Sequence, residues 1–251
     1  MDGNMKTVTP PRDAYDGSRI KAFVATNPIL GPAARAVART PVVLELRRRL
    51  GFRDSSAYWE KRYQQGKTSG VGSYGRLATF KAEVLNDLVA KHNVRSVIEF
   101  GCGDGTQLAL AKYPAYVGID VAQGSIDICQ KRFAGDASKR FFLTTKIPGD
   151  LAPADLALSL DVVYHLVEDQ IFDLYMRALF KHAGRFVIVY SSNKEEPSGV
   201  PHVRHRIFTN WIEKNAPQWH QSGFIPNRYP EDHKRPDDTS FADFYIFELK
   251  N

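Results

Sequence analysis

Cysteine is nearly absent from this chain. Cys102 and Cys129 are the only two in 251 residues, too few for a disulfide framework, and no Cys-x-x-Cys pair suggests structural zinc. Long apolar runs are also missing. No segment is long enough to span a bilayer, and the first residues lack the apolar centre of a secretion signal. No membrane partner and a cytoplasmic location are therefore expected. There is no internal repeat, no low-complexity tract and no phosphate-loop signature; in Gly66-Lys-Thr-Ser-Gly-Val-Gly-Ser-Tyr-Gly75 the lysine precedes most of the glycines. What remains is a composition that builds a core: 43% of residues are hydrophobic, ordinary for a soluble globular protein.

The net charge of +6 is unevenly spread. Residues 1–50 hold nine basic side chains, among them Arg47-Arg-Arg49, against four acidic ones, so the rest of the chain is almost neutral. A nearly neutral core is not built to track a phosphate backbone, and no nucleic-acid partner is expected of it. Residues 1–53 read as a basic arm with short helices broken at Pro41, whose apolar stripe could cover the domain or meet a second subunit in a homodimer. Residues 54–251 read as one domain. Within it, Asp54-Ser-Ser caps a helix carrying Trp59 and Tyr63 on one face, and residues 66–75 form a glycine-rich loop. Tyr74 in that loop could contact a cofactor or anchor the loop. Residues 76–92 form an amphipathic helix with Leu77, Phe80, Val84 and Leu88 on one stripe. Strands and helices then alternate to residue 215, and two strands close the chain, the pattern of a doubly wound α/β fold with a mostly parallel sheet.

The most informative stretch is Val97-Ile-Glu-Phe-Gly-Cys-Gly-Asp-Gly105. An apolar strand stops at Gly101, Gly103 and Gly105, and residues 106–112 read as a helix. Glycines let the chain turn tightly and let a ligand lie against bare backbone. Glu99 sits at the strand end, and Asp120 ends the next strand, 21 positions later, where an acid can accept hydrogen bonds from ribose hydroxyls. Ile98–Gly105 and Gly118-Ile-Asp120 together resemble the first and second motifs of class I S-adenosylmethionine-dependent methyltransferases. The resemblance covers roughly Tyr58 to the end. It implies a Rossmann-like, seven-stranded, mostly parallel sheet with the last strand antiparallel, here with a helical N-terminal extension. It also implies S-adenosyl-L-methionine as cofactor, held by Glu99, Gly101, Cys102, Gly103, Gly105 and Asp120, with Val121, Thr144, Leu160 and Tyr74 around it.

The fourth strand runs into Asp161-Val-Val-Tyr-His165. In the family this corner lies beside the departing methyl group. A hydroxyl nucleophile must lose its proton as it attacks, and a histidine suits that role. His165 is the expected base, with Asp161 orienting it or the acceptor. Tyr164 and the polar run His202, Arg204, His205 and Arg206 are candidates for binding a polyhydroxylated or anionic acceptor. Asp161, His165, His202 and His205 could instead hold a divalent metal such as magnesium. The Pro-Pro-aromatic run of amino-methylating nucleic-acid enzymes and the Pro-Cys of carbon-methylating DNA enzymes are both missing after strand four. That favours a small molecule or saccharide methylated on oxygen. Two other readings stay open: an RNA-acting methyltransferase using the basic arm, and a domain that binds the cofactor without turnover.

Overall fold

The computed structural model describes Phe52 and residues 54–250. The basic arm of residues 1–53, Phe52 apart, and the dimer contact expected of it lie outside the described residues. A ten-residue helix, α1 (Ser55–Gln64), opens the domain, its first turn closed by the Asp54 carboxylate, which accepts the Ala57 N–H at 2.6 Å. The glycine loop leads into α2 (Gly75–Lys91). Strands β1 (Val97–Phe100) and β2 (Tyr116–Asp120) follow, then α3 (Gln123–Arg132), β3 (Lys139–Leu143) and β4 (Ala154–Leu160). After α4 (Asp169–Lys181) come β5 (Ala183–Ser191), α5 (Phe208–Asn215), β6 (Trp219–Ile225) and β7 (Asp243–Leu249).

The seven strands form one sheet in the order β3-β2-β1-β4-β5-β7-β6. Only β7 runs against its neighbours. Central strands of such a sheet are covered on both faces, and β1, β2 and β4 read accordingly as near-continuous apolar runs. One face packs on α2 and α3 through Leu85, Ile126, Tyr116 and Leu158. The other packs on α4 and α5 through Ile98, Ile119, Met176 and Phe208. Among the described residues, no helix is long and apolar enough to cross a membrane.

Two expectations need correction. The helix expected over residues 106–112 is a single 3₁₀ turn, Leu108–Leu110. Pro114 disfavours helix in the residue before it, and the Asn86 side chain takes the Leu110 carbonyl (3.0 Å) and the Lys112 N–H (2.8 Å), so the turn cannot propagate. On α2, the row buried most deeply is Leu77, Lys81, Leu85 and Val89, whereas Val84 and Leu88 are only half-buried. The lysine in that row hid it from a search for apolar spacing.

Candidate active site

Chain order reverses between β1 and β4, so the connections leaving their carboxyl ends diverge and open a crevice. A cavity of about 400 Å³ fills it. Its floor is the glycine turn. Gly101 and Gly103 both adopt left-handed backbone (φ 84° and 57°), and a Cβ would lie 2.4 Å from Val162 at the first and 2.4 Å from Ser69 Oγ at the second. The Asp120 carboxylate pins the turn, accepting the Gly103 and Ala122 N–H groups, each at 2.9 Å. Burial raises its pKa. Glu99 is also buried and accepts the Tyr116 hydroxyl at 2.6 Å; desolvation pushes its pKa up to about 7. Thr144 Oγ1 donates to the Asp120 carbonyl at 3.0 Å, which brings the β3 end to the same wall.

The roof is α1 and the glycine loop. Ser55, Ser56, Trp59 and Tyr63 share the helix face turned to the cavity. One end of α1 is fastened at Ser55, whose N–H and hydroxyl donate to Glu168 at 3.1 and 2.6 Å. Its far half is tied to α3 by the Gln123 N–H on Glu60, 2.8 Å. Ser69 of the loop reaches across to the glycine turn, its N–H on Asp104 Oδ2 (3.1 Å) and its hydroxyl accepting the Asp104 N–H (2.9 Å).

The β4 end supplies Asp161 and His165. Asp161 sits at φ 60°, a left-handed conformation that a short polar residue tolerates, and its carboxylate meets Lys81 Nζ (2.5 Å) and the Tyr164 hydroxyl (2.9 Å). It therefore does not orient His165. That ring is held instead by the His202 carbonyl, 2.8 Å from Nδ1, and by the edge of Trp59. Burial lowers the His165 pKa to about 4, so the ring is neutral at pH 7. With Nδ1–H donated to a carbonyl, Nε2 is the bare acceptor nitrogen.

Of the residues singled out in the sequence, Glu99, Gly101, Cys102, Gly103 and Asp120 line the cavity. So do Val121, Thr144, Leu160, Asp161 and His165. Tyr74, Gly105, Tyr164, His202, Arg204, His205 and Arg206 do not. Arg204 and Arg206 instead brace the β4–α4 turn, donating to the Val167 carbonyl at 2.9 and 2.8 Å and pairing with Asp169. Within that turn the Val162, Val163 and His165 carbonyls accept backbone N–H groups, whereas the Leu166 and Val167 carbonyls are taken by the two guanidiniums. His205 Nδ1 is paired with Ser192 Oγ at 2.8 Å, and the His202 ring stacks on Tyr58 at 4.3 Å. Among the described residues, no group of three His, Cys, Asp or Glu side chains is arranged to hold a metal ion.

No family model matches the chain. It is 31% identical over 122 residues to the mRNA cap guanine-N(7) methyltransferase 1 of Oryza sativa subsp. japonica. That match covers 47% of this chain and 32% of the plant protein, so the chain spans about a third of that relative's length. The N-methyltransferase NodS of Bradyrhizobium japonicum WM9, solved with S-adenosyl-L-homocysteine, superposes with a TM-score of 0.61 at 13% identity, over 79% of this chain and 100% of NodS. Magnesium protoporphyrin IX methyltransferase (ChlM) of Synechocystis PCC 6803, also with S-adenosyl-L-homocysteine, gives 0.54 at 14%, over 78% and 98%.

The chain has the class I methyltransferase fold.

Within that fold the cavity holds polar residues that sequence reasoning did not find. Lys81 is 1% exposed, and Gln107 is 8% exposed with its Oε1 unpartnered. Lys81 and Asp161 are 80 positions apart, and no local pattern signals their pairing. Trp59 and Tyr63 carried a signal, their spacing of four on a capped helix, but nothing local pointed that face at a ligand. A nucleoside fits the observations on this site. The glycine turn leaves bare backbone where a Cβ would intrude, Asp120 stands at the β2 tip, and Gln107 Oε1 is a buried acceptor awaiting a donor.

Proposed function

We propose that the chain transfers a methyl group from S-adenosylmethionine to a hydroxyl of a small molecule or saccharide, with His165 taking the proton. The observation that carries this reading is a neutral histidine with a bare Nε2 in the wall of the cavity that the glycine turn and Asp120 floor. The cofactor supplies a methyl already activated on a sulfonium, so alignment is most of what the protein contributes. Asp120 and the glycine turn hold the nucleoside. Val121 and Thr144 flank its base. Trp59 and the His202 carbonyl fix the imidazole ring so that Nε2 receives the acceptor's proton as oxygen attacks carbon.

Titration calorimetry with S-adenosylhomocysteine should show binding that Asp120→Ala weakens at least about tenfold. A screen of sugars and phenols with tritium-labelled cofactor should find an acceptor whose turnover His165→Ala lowers by roughly 10²–10⁴-fold, the usual worth of a general base. Unchanged affinity in Asp120→Ala, or full turnover in His165→Ala, would refute the corresponding half.

The match to the cap guanine-N(7) methyltransferase supports a second reading, transfer to a ring nitrogen of RNA. Such a nitrogen carries no proton, so no base is needed. On this reading His165→Ala keeps turnover, and RNA binding is salt-sensitive and disappears when the basic residues 1–50 are deleted.

A further inference from the structure

Three segments far apart in the chain meet in one column of rings. Tyr58 is on α1, His202 in the β5–α5 connection and His165 in the β4–α4 turn. The His202 ring lies nearly parallel to Tyr58, 4.3 Å away at 13°, and continues onto His165, 5.5 Å away at 18°. The Tyr58 hydroxyl is 3.4 Å from His202 Nε2. Two hydrogen bonds seat the connection on the β4–α4 turn. The Arg204 N–H donates to the Tyr164 carbonyl at 2.8 Å, and the His202 carbonyl takes His165 Nδ1 at 2.8 Å. Helix α1 touches the same turn again through the Ser55 hydroxyl, 2.8 Å from the His165 carbonyl. Neither Tyr58 nor His202 lines the cavity, whereas His165 does. Both are only half-buried, so filling the core does not account for their stacking.

A carbonyl oxygen can only accept, so the His202 contact puts the His165 proton on Nδ1 and leaves Nε2 bare. In water a neutral imidazole favours the opposite arrangement, so a base that needs a bare Nε2 must be constrained. One hydrogen bond fixes the distance to the carbonyl but leaves the ring free to swing about it. A parallel ring alongside removes that freedom. Trp59, edge-on at 5.0 Å, and Tyr164, tilted at 4.5 Å, flank the imidazole as well. We propose that Tyr58 and His202 are positioning residues for His165. The column holds the imidazole plane so that Nε2 faces the acceptor, and it is complete only while α1 is docked as the roof. The base is thereby assembled by the same helix that closes the cavity. This rests on the role proposed for His165 above, and the test separates the two.

The experiment compares the full chain with Tyr58→Leu, Tyr58→Phe and His202→Ala. Long-range proton–nitrogen NMR reads which His165 nitrogen carries the proton. The wild type should show Nδ1–H at pH 7 and a midpoint near 4. Burial lowers that midpoint, against the His202 carbonyl and Asp161, which raise it; Arg62 of α1 and His205 add to the lowering. Tyr58→Leu and His202→Ala should mix the two tautomers and move the midpoint toward 6.5, while Tyr58→Phe, which keeps the ring, should match the wild type. Losing one aromatic contact shifts a two-state population by roughly two- to tenfold. With the acceptor found in the screen of sugars and phenols, kcat should therefore fall by about that factor in Tyr58→Leu. It should fall by up to about a hundredfold in His202→Ala, which loses both contacts. KM and S-adenosylhomocysteine affinity should stay within about twofold. A single protonated nitrogen and an unmoved midpoint in both Tyr58→Leu and His202→Ala would overturn the proposal, whatever the turnover. So would a parallel loss of S-adenosylhomocysteine affinity, the mark of a generally loosened roof. Full turnover in His165→Ala, with the NMR changes as expected, would remove the base reading and leave the column as what holds the ring.

Discussion

Changing Glu99 to Gln should stabilise the ligand-free fold at alkaline pH and leave it nearly unchanged near pH 4. Glu99 is buried at the end of β1, and its side chain accepts one hydrogen bond, from the Tyr116 hydroxyl. Desolvation pushes its pKa from an ordinary 4.5 to about 7, more than the Tyr116 hydrogen bond and the nearby Lys81 charge pull it down. Ionising the group in place therefore costs roughly 3 kcal/mol. Below pH 4.5 the carboxyl is protonated in both folded and unfolded chains, and the full stability is present. Between 4.5 and 7 the folded chain keeps a proton that the unfolded chain has released, so stability falls as pH rises; above 7 the whole cost is felt. Glutamine keeps an oxygen for Tyr116 and never ionises. Urea unfolding followed by tryptophan fluorescence at pH 4, 6 and 8 should show the variant's advantage growing from near zero to roughly 3 kcal/mol. A difference that does not change with pH, or a variant weaker than wild type at pH 8, would show that Glu99 is not a buried carboxyl held neutral by its surroundings.

Other outcomes follow from the same geometry. Gly101→Ala meets both a left-handed backbone and the Val162 side chain at 2.4 Å, and should lower stability by about 3 kcal/mol or more in denaturant titration; adding Val162→Ala should recover only the part due to the clash. The His165 ring should titrate by NMR with a midpoint near 4. Because that pKa is lower folded than unfolded, His165 contributes stability that is present above about 6.5 and lost as pH falls through 4. A midpoint near 6.5 would mean that the ring is solvated and would remove the basis for a neutral imidazole in the cavity wall.

What could be read locally was what local physics decides. Central strands buried on both faces appear as apolar runs, so β2 and β6 fall at the expected bounds. The helix over Asp169–Lys181 does too, with an acid in its first turn and a lysine in its last. Three alternate glycines after a strand fix a turn with left-handed backbone, and the acid that ends the next strand comes to lie against it because β1 and β2 pair in register. Where a short segment competes with its surroundings, sequence reasoning failed. Residues 106–112 have helical spacing, yet Pro114 and the Asn86 side chain limit them to one 3₁₀ turn.

The sequence by itself determined the alternation of elements, the glycine turn and the acids at its edge, because each depends on neighbours within a few residues. Only the tertiary structure decided the partners. Crossing from α2 to β4 brought Lys81 onto Asp161, and the packing of α1 set Trp59 beside His165. The same packing left the arginines after β5 bracing a turn instead of lining the cavity. A buried charge is stable only with its counter-charge, and which residue supplies it is settled when distant segments meet, not by any spacing along the chain.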